Sequence, residues 1–415
     1  LKKRRIIFRV TPLNRLSFPV LLNVWESHQI DHRFEIVVRD RPLTSRNVDP
    51  VQSIKKGDVF LFSFMTPHLP LIHEEIKEIK KTGAFIAGGG PHISGEQELA
   101  FKIGFDTCFE GPGETNFLTF GLDLLENKTR KNKIYRNSPG KTADFNRYWP
   151  ISKYMNEVPP LEIMRGCFWH CSYCTTGLFD VSFRTLDSIK TFLAKINKRK
   201  FNSNRINFIS PSSMEYQAFG RRRLNLKKIE ALLHLTKSYD FKFIEYGIFP
   251  SEIRPDTVSE EGMKILKKYV SHKSITLGAQ SGINARLKEL NRGHTVEDIE
   301  AAVAIANANG FLANLDFIVA YPGETPEERR STLRFIKKLN KKYRIRTHFH
   351  HFFPLSGSPY AFRFPSFLSS SEKEALYELK ESGIAEAGWV QNEEQAIHYF
   401  KWLKENFPNY YSKYH

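Results

Sequence analysis

Cysteine is scarce in this chain, with four in 415 residues. That is too few for a disulfide framework, which small oxidised domains build from dense cysteine pairs. Long apolar runs are missing too. No stretch approaches the ~20 apolar residues that a membrane helix requires, and no signal-peptide pattern opens the sequence. The expectation is a cytoplasmic protein with reduced thiols and no membrane partner. Leu1 as first residue implies that a few residues, the initiator among them, precede it. Acidic residues are in deficit, 45 against 62 Lys and Arg, giving a formal net charge of +17. Such a balance attracts polyanions or an acidic macromolecular surface. The basic runs at 128–133, 198–200, 221–223 and 337–342 are scattered, however, and build no single nucleic-acid motif. Solvated helix faces and loops are the simpler account of them, and a docking surface for an acidic protein is the sharper one.

What is present begins with the other side of the cysteine count. Cys167, Cys171 and Cys174 stand together in Arg165-Gly166-Cys167-Phe168-Trp169-His170-Cys171-Ser172-Tyr173-Cys174-Thr175. Three thiolates this close can close around one iron–sulfur cluster and serve three of its four irons. No fourth cysteine follows at similar spacing, so one iron would stay open to another ligand. A zinc site would want a fourth ligand; His170 lies between two of the cysteines, and Cys108 is far off in sequence. Buried structural thiols are the general alternative.

Residues 1–125 alternate strand-like and helix-like segments. Strands are predicted at 5–10, 34–38, 58–62, 84–87 and 106–109, and Ile72, Ile76 and Ile79 mark a helix over Leu69–Lys81. The alternation predicts a doubly wound, Rossmann-like parallel sheet, whose ligands bind beyond the carboxyl ends of the strands. Two glycine-rich loops fall there, Gly88-Gly89-Gly90-Pro91-His92 and Glu110-Gly111-Pro112-Gly113-Glu114. Residues 126–155, rich in Lys, Asn and Pro, read as a linker. Residues 156–365 repeat strand then helix six times, with strands at 161–165, 206–210, 243–249, Ser274–Gln280, 314–320 and 346–353 and helices such as 258–269 and 297–308. Six such units make a partial (β/α)6 barrel with its chemistry at the C-terminal strand ends. Residues 366–415 read as a small helical C-terminal domain, with Ser370 or Ser371 as N-cap. Its aromatic residues (Trp389, Tyr399, Phe400, Trp402, Phe407, Tyr410 and Tyr411) suit packing, or more sharply a surface that grips substrate.

The C-x3-C-x2-C spacing directly after a strand resembles the signature of the radical S-adenosylmethionine (SAM) enzymes. In that superfamily the amino and carboxylate groups of SAM chelate the open iron of a 4Fe-4S cluster, and reductive cleavage yields a 5′-deoxyadenosyl radical. The order of Ser63 and the two glycine loops before that motif resembles the cobalamin-binding domain of the class B branch. This implies a cobalamin site at Ser63, Met65, Thr66, Gly88, Gly89, Gly90, His92, Glu110, Gly111, Gly113 and Glu114. One departure stands out. The Asp-x-His-x-x-Gly motif, whose histidine replaces the cobalamin base on cobalt in other cobalamin proteins, is missing, and the first loop reads Thr11-Pro12-Leu13-Asn14-Arg15. Met65 and His68 would be the groups near the lower face, and a vacant or water-filled lower position is expected.

The barrel segments extend the resemblance: Phe208-Ile209-Ser210-Pro211, Phe249-Pro250-Ser251-Glu252-Ile253-Arg254-Pro255, Gly278-Ala279-Gln280-Ser281-Gly282, Arg292-Gly293-His294-Thr295, the run from Asp316 through Tyr321 to Thr325, and Phe353-Pro354-Leu355-Ser356-Gly357-Ser358-Pro359. By resemblance Tyr173 sits by the adenine, while Glu252, Gln280, Ser281 and Arg292 hold the ribose or the methionine end. A guanidinium suits a carboxylate through paired hydrogen bonds, which is the physical case for Arg292. Many members carry Glu where Gln280 stands, so one salt bridge to the amino group is lost here. In the last strand, alternation puts His348 and His350 on one face and His351 on the other. With Tyr216 and Tyr321 they are the candidates for contact with substrate. The set is nearest the methanogen enzymes that C-methylate a glutamine of methyl-coenzyme M reductase. It implies methylation of an unactivated sp3 carbon in a protein or peptide by a monomer using an external electron donor. Nucleic acid is a less favoured partner. A tRNA-modifying enzyme is encouraged by the charge but lacks three further N-terminal cysteines and an added β-barrel RNA domain. A non-catalytic cobalamin- or cluster-dependent sensor or maturation partner is the remaining alternative.

Overall fold

The computed structural model describes residues 3–11, 14–40, 53–137, 145–156, 158–198, 204–239, 241–386 and 388–415. Pro12, Leu13 and the proposed turn at 138–140 lie outside the described residues. The chain divides into two compact units. The first comprises Leu1–Pro160, Leu355–Ser358 and Tyr399–Ser412, and the second Leu161–Pro354, Pro359–His398 and Lys413–His415. Among the described residues no helix is long and apolar enough to cross a membrane.

The first unit is built on six parallel strands rich in β-branched and aromatic residues: β1 (Arg5–Arg9), β2 (Glu35–Arg39), β3 (Val59–Ser63), β4 (Phe85–Gly89), β5 (Thr107–Glu110) and β6 (Lys133–Arg136). Their order is β2-β1-β3-β4-β5-β6, so the chain reverses direction across the sheet between β1 and β3. On one face, helices α1 (Phe18–Ser27) and α5 (Gly113–Leu125) meet through Trp25 stacked on Phe117 at 4.4 Å, with Phe8 edge-on to both. The predicted helix Leu69–Lys81 forms with those bounds and buries Ile72, Ile76 and Ile79. The main departure is β6. It lies inside the stretch read as linker, because Ile134 and Tyr135 alone carry its apolar signal, and pairing with β5 completes it.

The second unit carries the partial barrel. Parallel strands β7 (Leu161–Glu162), β10 (Arg205–Ile209) and β11 (Phe243–Glu245) form one sheet segment. Strands β12 (Ser274–Gln280), β13 (Leu312–Val319), β14 (Ile345–His351) and β15 (Ala385–Glu386) form the other. The predicted first strand breaks in two. After Ile163 the chain continues as β8 (Met164–Arg165), which pairs antiparallel with β9 (Ser182–Phe183). The predicted strand over 243–249 stops at Glu245, since Gly247 turns with φ +78°. The loop beyond it fills the gap beside β12: Ile253 N–H donates to Thr276 O at 2.8 Å, and Gly278 N–H to Ile253 O at 3.1 Å. The C-terminal region is not wholly helical, because β15 adds to the barrel sheet beside Thr347 and His348. Its first helix, α12 (Ser370–Glu381), is capped by Ser369 in a box with Glu372, ahead of both predicted caps, Ser370 and Ser371. Helices α10 (Val296–Ala308) and α11 (Pro326–Lys342) begin with the same device, at Thr295/Asp298 and Thr325/Glu328.

Candidate active site

The cysteine loop leaves the carboxyl end of β8 through Gly166, at φ +72°. A Cβ there would stand 2.4 Å from Phe179 O, so no other residue fits. The loop is pinned from several sides. Ser172 N–H donates to Leu290 O at 3.0 Å, Asn291 Nδ2 to His170 O at 2.9 Å, and Cys174 N–H to Cys171 O at 3.0 Å. Trp169 is its anchor: the indole N–H donates to Glu215 at 3.0 Å, and the Arg254 guanidinium lies 3.7 Å over the ring. Cys171 is buried, and Cys167 and Cys174 are half-buried. Burial pushes the Cys167 thiol up to about 11, with Glu215, Cys171 and Cys174 adding to it. Cys108 belongs to the other unit, in β5. It is fully buried, and burial pushes its thiol up to about 12. Among the described residues no group of three or more His, Cys, Asp or Glu side chains converges on one metal-ion position.

Arg292, twelve residues beyond the end of β12, reaches this loop. Its Nη1 points at Cys171 Sγ at 3.5 Å, and its Nη2 donates to Gly278 O at 2.7 Å. Burial opposes its charge, but the acidic groups of Tyr173 and Cys171 hold it above its ordinary value. Three side chains crowd the place where Gly278 lacks a Cβ: Gln280 Nε2 at 3.0 Å, Arg292 Nη2 at 3.1 Å and Glu252 Oε2 at 3.4 Å. Gln280 ends β12 at a bulge with φ +69°, an unusual conformation for a side-chain-bearing residue. The Gln280 Oε1, Ser281 Oγ, Arg292 Nε and Tyr321 Oη atoms are buried without partners. Native interiors seldom leave such atoms unsatisfied. Half-buried Tyr173 packs 5.9 Å from the Tyr321 ring, with Leu290 and Phe352 alongside.

Beside this group runs a polar ladder. Asp316 of β13, His348 of β14 and Glu386 of β15 are in register and therefore share a face. His348 Nδ1 lies 3.3 Å from Asp316 and Nε2 3.4 Å from Glu386, and the Asp316 carboxylate raises its pKa. Burial, then the negative charge of Asp316, pushes the Glu252 carboxyl up to about 8. Exposed His350 falls on the His348 face, while buried His351 lies on the other against Phe367. Tyr216 is placed differently from its expected position at the mouth. It is fully buried, its hydroxyl donating to Arg184 O at 2.7 Å, so it braces the β9 region. Sequence reading missed Trp169, Arg254, Glu215, Asp316 and Glu386 as site-shaping residues. Strand register with His348 was the available signal for Asp316; Glu386 had none, since two residues make no pattern.

In the first unit the expected cobalamin residues separate into two sets. Gly88 and Gly89 lie within β4, not in the loop after it, and a Cβ on Gly88 would meet Ile93 and Phe105 at 2.5 Å. That glycine serves packing. His92 is 1% exposed, its Nδ1 shared with Ser356 Oγ at 2.8 Å and Thr66 Oγ1 at 3.2 Å, and burial pushes it down to about 3. It is thus a neutral, buried bracket for Thr66 rather than an open ligand. Ser63 is buried at the end of β3, Glu110 pairs with Arg136 at 2.8 Å, a Cβ on Gly113 would stand 2.8 Å from Leu21, and Glu114 is buried in the first turn of α5. Gly90 (φ +93°) and Gly111 (φ +77°) form true turns, and nothing lies within 4 Å of a Cβ on Gly111. Met65 is exposed and His68 half-buried, at the carboxyl edge beside β3. Asn14 ties this edge together across the point where strand order reverses, donating to Arg9 O and Ser63 O at 2.9 Å each.

Residues 161–336 match the family model described as the radical SAM superfamily. This segment is similar to radical SAM domains. Among solved structures, the chain is similar to the radical SAM methyltransferase TsrM from Kitasatospora setae with cobalamin and a 4Fe-4S cluster bound (TM-score 0.60, 17% identity, 87% of this chain and 77% of that one). It is also similar to the cobalamin-dependent radical SAM enzyme OxsB with aqua-cobalamin bound (TM-score 0.63, 15% identity, 96% and 56%). These likenesses cover both the six-stranded unit and residues 161–336, and at such identity they speak to fold. In sequence the chain is 29% identical over 289 residues to an uncharacterised protein of Methanocaldococcus jannaschii (65% of this chain, 60% of the relative). It is 24% identical over 287 residues to an uncharacterised methyltransferase of Pyrococcus horikoshii (62% and 59%). A tRNA-2-methylthio-N(6)-dimethylallyladenosine synthase of Buchnera aphidicola is 28% identical over 235 residues (52% and 50%). The chain thus spans about 60% of the length of the first two relatives.

Proposed function

We propose that this chain is a cobalamin-dependent radical SAM methyltransferase that methylates an unactivated sp3 carbon of a protein, a glutamine of methyl-coenzyme M reductase being the substrate we favour. The observation that carries the reading is one set of residues in the radical SAM domain: the three-cysteine loop with Arg292 against Cys171, and unpartnered polar atoms beside it. Those orphaned atoms fit a polar, charged ligand. Cys167, Cys171 and Cys174 would hold the cluster. Arg292 would hold the SAM carboxylate, Glu252, Gln280 and Ser281 its amino or ribose groups, and Tyr173 its adenine. In the first unit, the open turn at Gly111 and exposed Met65 leave room for the flat face of cobalamin. When bound, the cluster with SAM would supply hydrogen abstraction and cobalamin would carry the methyl group. The protein's part is to orient the groups and exclude water. The aromatic wall of Tyr173, Tyr321 and Phe352 serves that, and Trp169 with Arg254 holds the cysteine loop still.

The test is anaerobic incubation of cluster-loaded protein with cobalamin, SAM, reductant and a glutamine-containing peptide of methyl-coenzyme M reductase. The expected result is one added methyl group with 5′-deoxyadenosine and S-adenosylhomocysteine as coproducts. Coproducts without a methylated peptide would remove the substrate and keep the class. A tRNA-modifying enzyme is the second reading, favoured by the Buchnera relative and by the +17 charge. A tRNA substrate gaining mass in the same assay would replace the first reading.

A further inference from the structure

We infer that the basic patch of Arg221, Arg222, Arg223, Lys227 and Lys228 is the docking surface for a small acidic protein that delivers single electrons to the cluster. This rests on the function proposed above. All five residues are exposed, in the loop before and the first turn of helix α7 (Leu226–Lys237). Phe219, beside them in the chain, is 67% exposed. The loop is ordered: Phe219 N–H donates to Arg223 O at 2.9 Å and Arg223 N–H to Gly220 O at 3.0 Å, a closed turn holding the ring beside the cations. An exposed aromatic ring among like charges is a contact surface in search of an acidic partner.

Its place in the fold selects the partner. Arg221 Nε donates to Phe168 O at 2.7 Å, one residue from Cys167, and its guanidinium lies 5.0 Å from the Trp169 ring centre. Arg222 bonds to Gly293 O and pairs with Asp256 at 2.8 Å, 5.7 Å over the same ring. The acidic groups nearby are already committed, Asp256 to Arg222 and Arg254, and Glu215 to Trp169. Positive charge therefore faces outward on the back of the loop that bears the cluster ligands. An electron carrier needs that proximity to the cluster ligands. The reaction balances simply: the reduced carrier loses one electron, the cluster passes from the 2+ to the 1+ state, and no bond or proton changes hands. Charge complementarity would speed the encounter and make it salt-sensitive.

The probe is reduced plant-type ferredoxin, an acidic one-electron carrier. Two readouts are taken on the cluster-loaded protein: equilibrium binding of oxidised ferredoxin, and the second-order rate of cluster reduction, each at low and high salt. The triple variant Arg223→Glu, Lys227→Glu, Lys228→Glu is chosen because it spares Arg221 and Arg222, which contact the cysteine loop. It is expected to weaken binding and slow reduction at least about tenfold at low salt and to flatten the salt dependence. Reduction of the same variant by dithionite, followed by the EPR signal of the reduced cluster, should match wild type. Ferredoxin binding and rates unchanged in the variant would overturn the surface alone. Binding of bulk tRNA is titrated on the same proteins, and its loss in the variant with ferredoxin binding intact would overturn it too, in favour of a nucleic-acid face. A wild-type protein unable to hold a cluster would overturn the surface together with the function beneath it.

Discussion

Arg292 is the residue on which the site turns. It is buried, it contacts both a cysteine sulfur and the backbone of β12, and one guanidinium nitrogen has no partner. Lysine cannot reproduce that fork. Arg292→Lys is expected to weaken SAM binding to cluster-loaded protein by about 2 kcal/mol, roughly thirtyfold, measured by equilibrium titration. Glu252 gives a pH signature. Its carboxyl is raised from 4.5 to about 8, so the folded state holds a proton that the unfolded chain has lost. Stability from this group is complete below 4.5 and disappears as pH rises through about 8. Melting temperatures of wild type should therefore fall across that window more than those of Glu252→Gln, and parallel curves would contradict the assignment. The cysteine triplet was readable from spacing. The burial of His92 was not, because its partner Ser356 lies 264 residues away.

Elements place those residues, and here glycine decides where a loop can run. Gly293 (φ +73°) would put a Cβ 2.3 Å from the Trp169 ring. Gly293→Ala should cost about 2–4 kcal/mol through strained backbone and displaced ring, against about 1 kcal/mol for removing the Thr325 cap of α11. Denaturant melts of both variants check the ranking, and equal costs would mean that the Trp169 anchor is loose. Legibility at this scale followed pattern strength. Helix Leu69–Lys81 and strand Ser274–Gln280 form with the predicted bounds because their apolar periods are unbroken. Strand β6 and the loop beside Ile253 were not legible, since their hydrogen bonds come from neighbours and not from any period of their own. Asp316 shows the same limit. Its partnership with His348 is a matter of register, which no single segment declares.

For the whole molecule, the chain joins a six-stranded parallel unit to a segment that matches the radical SAM superfamily model in one polypeptide of 415 residues, and the proposed chemistry needs both. The most direct measurement is made on anaerobically reconstituted protein. Iron, sulfide and cobalamin are counted per chain, and 5′-deoxyadenosine is followed after SAM and dithionite are added. The account predicts about four irons and four sulfides, one cobalamin, and 5′-deoxyadenosine formation that Cys171→Ala abolishes while cobalamin stays bound. A folded wild-type protein that takes up cobalamin but no cluster, or a cluster that never cleaves SAM, would contradict it.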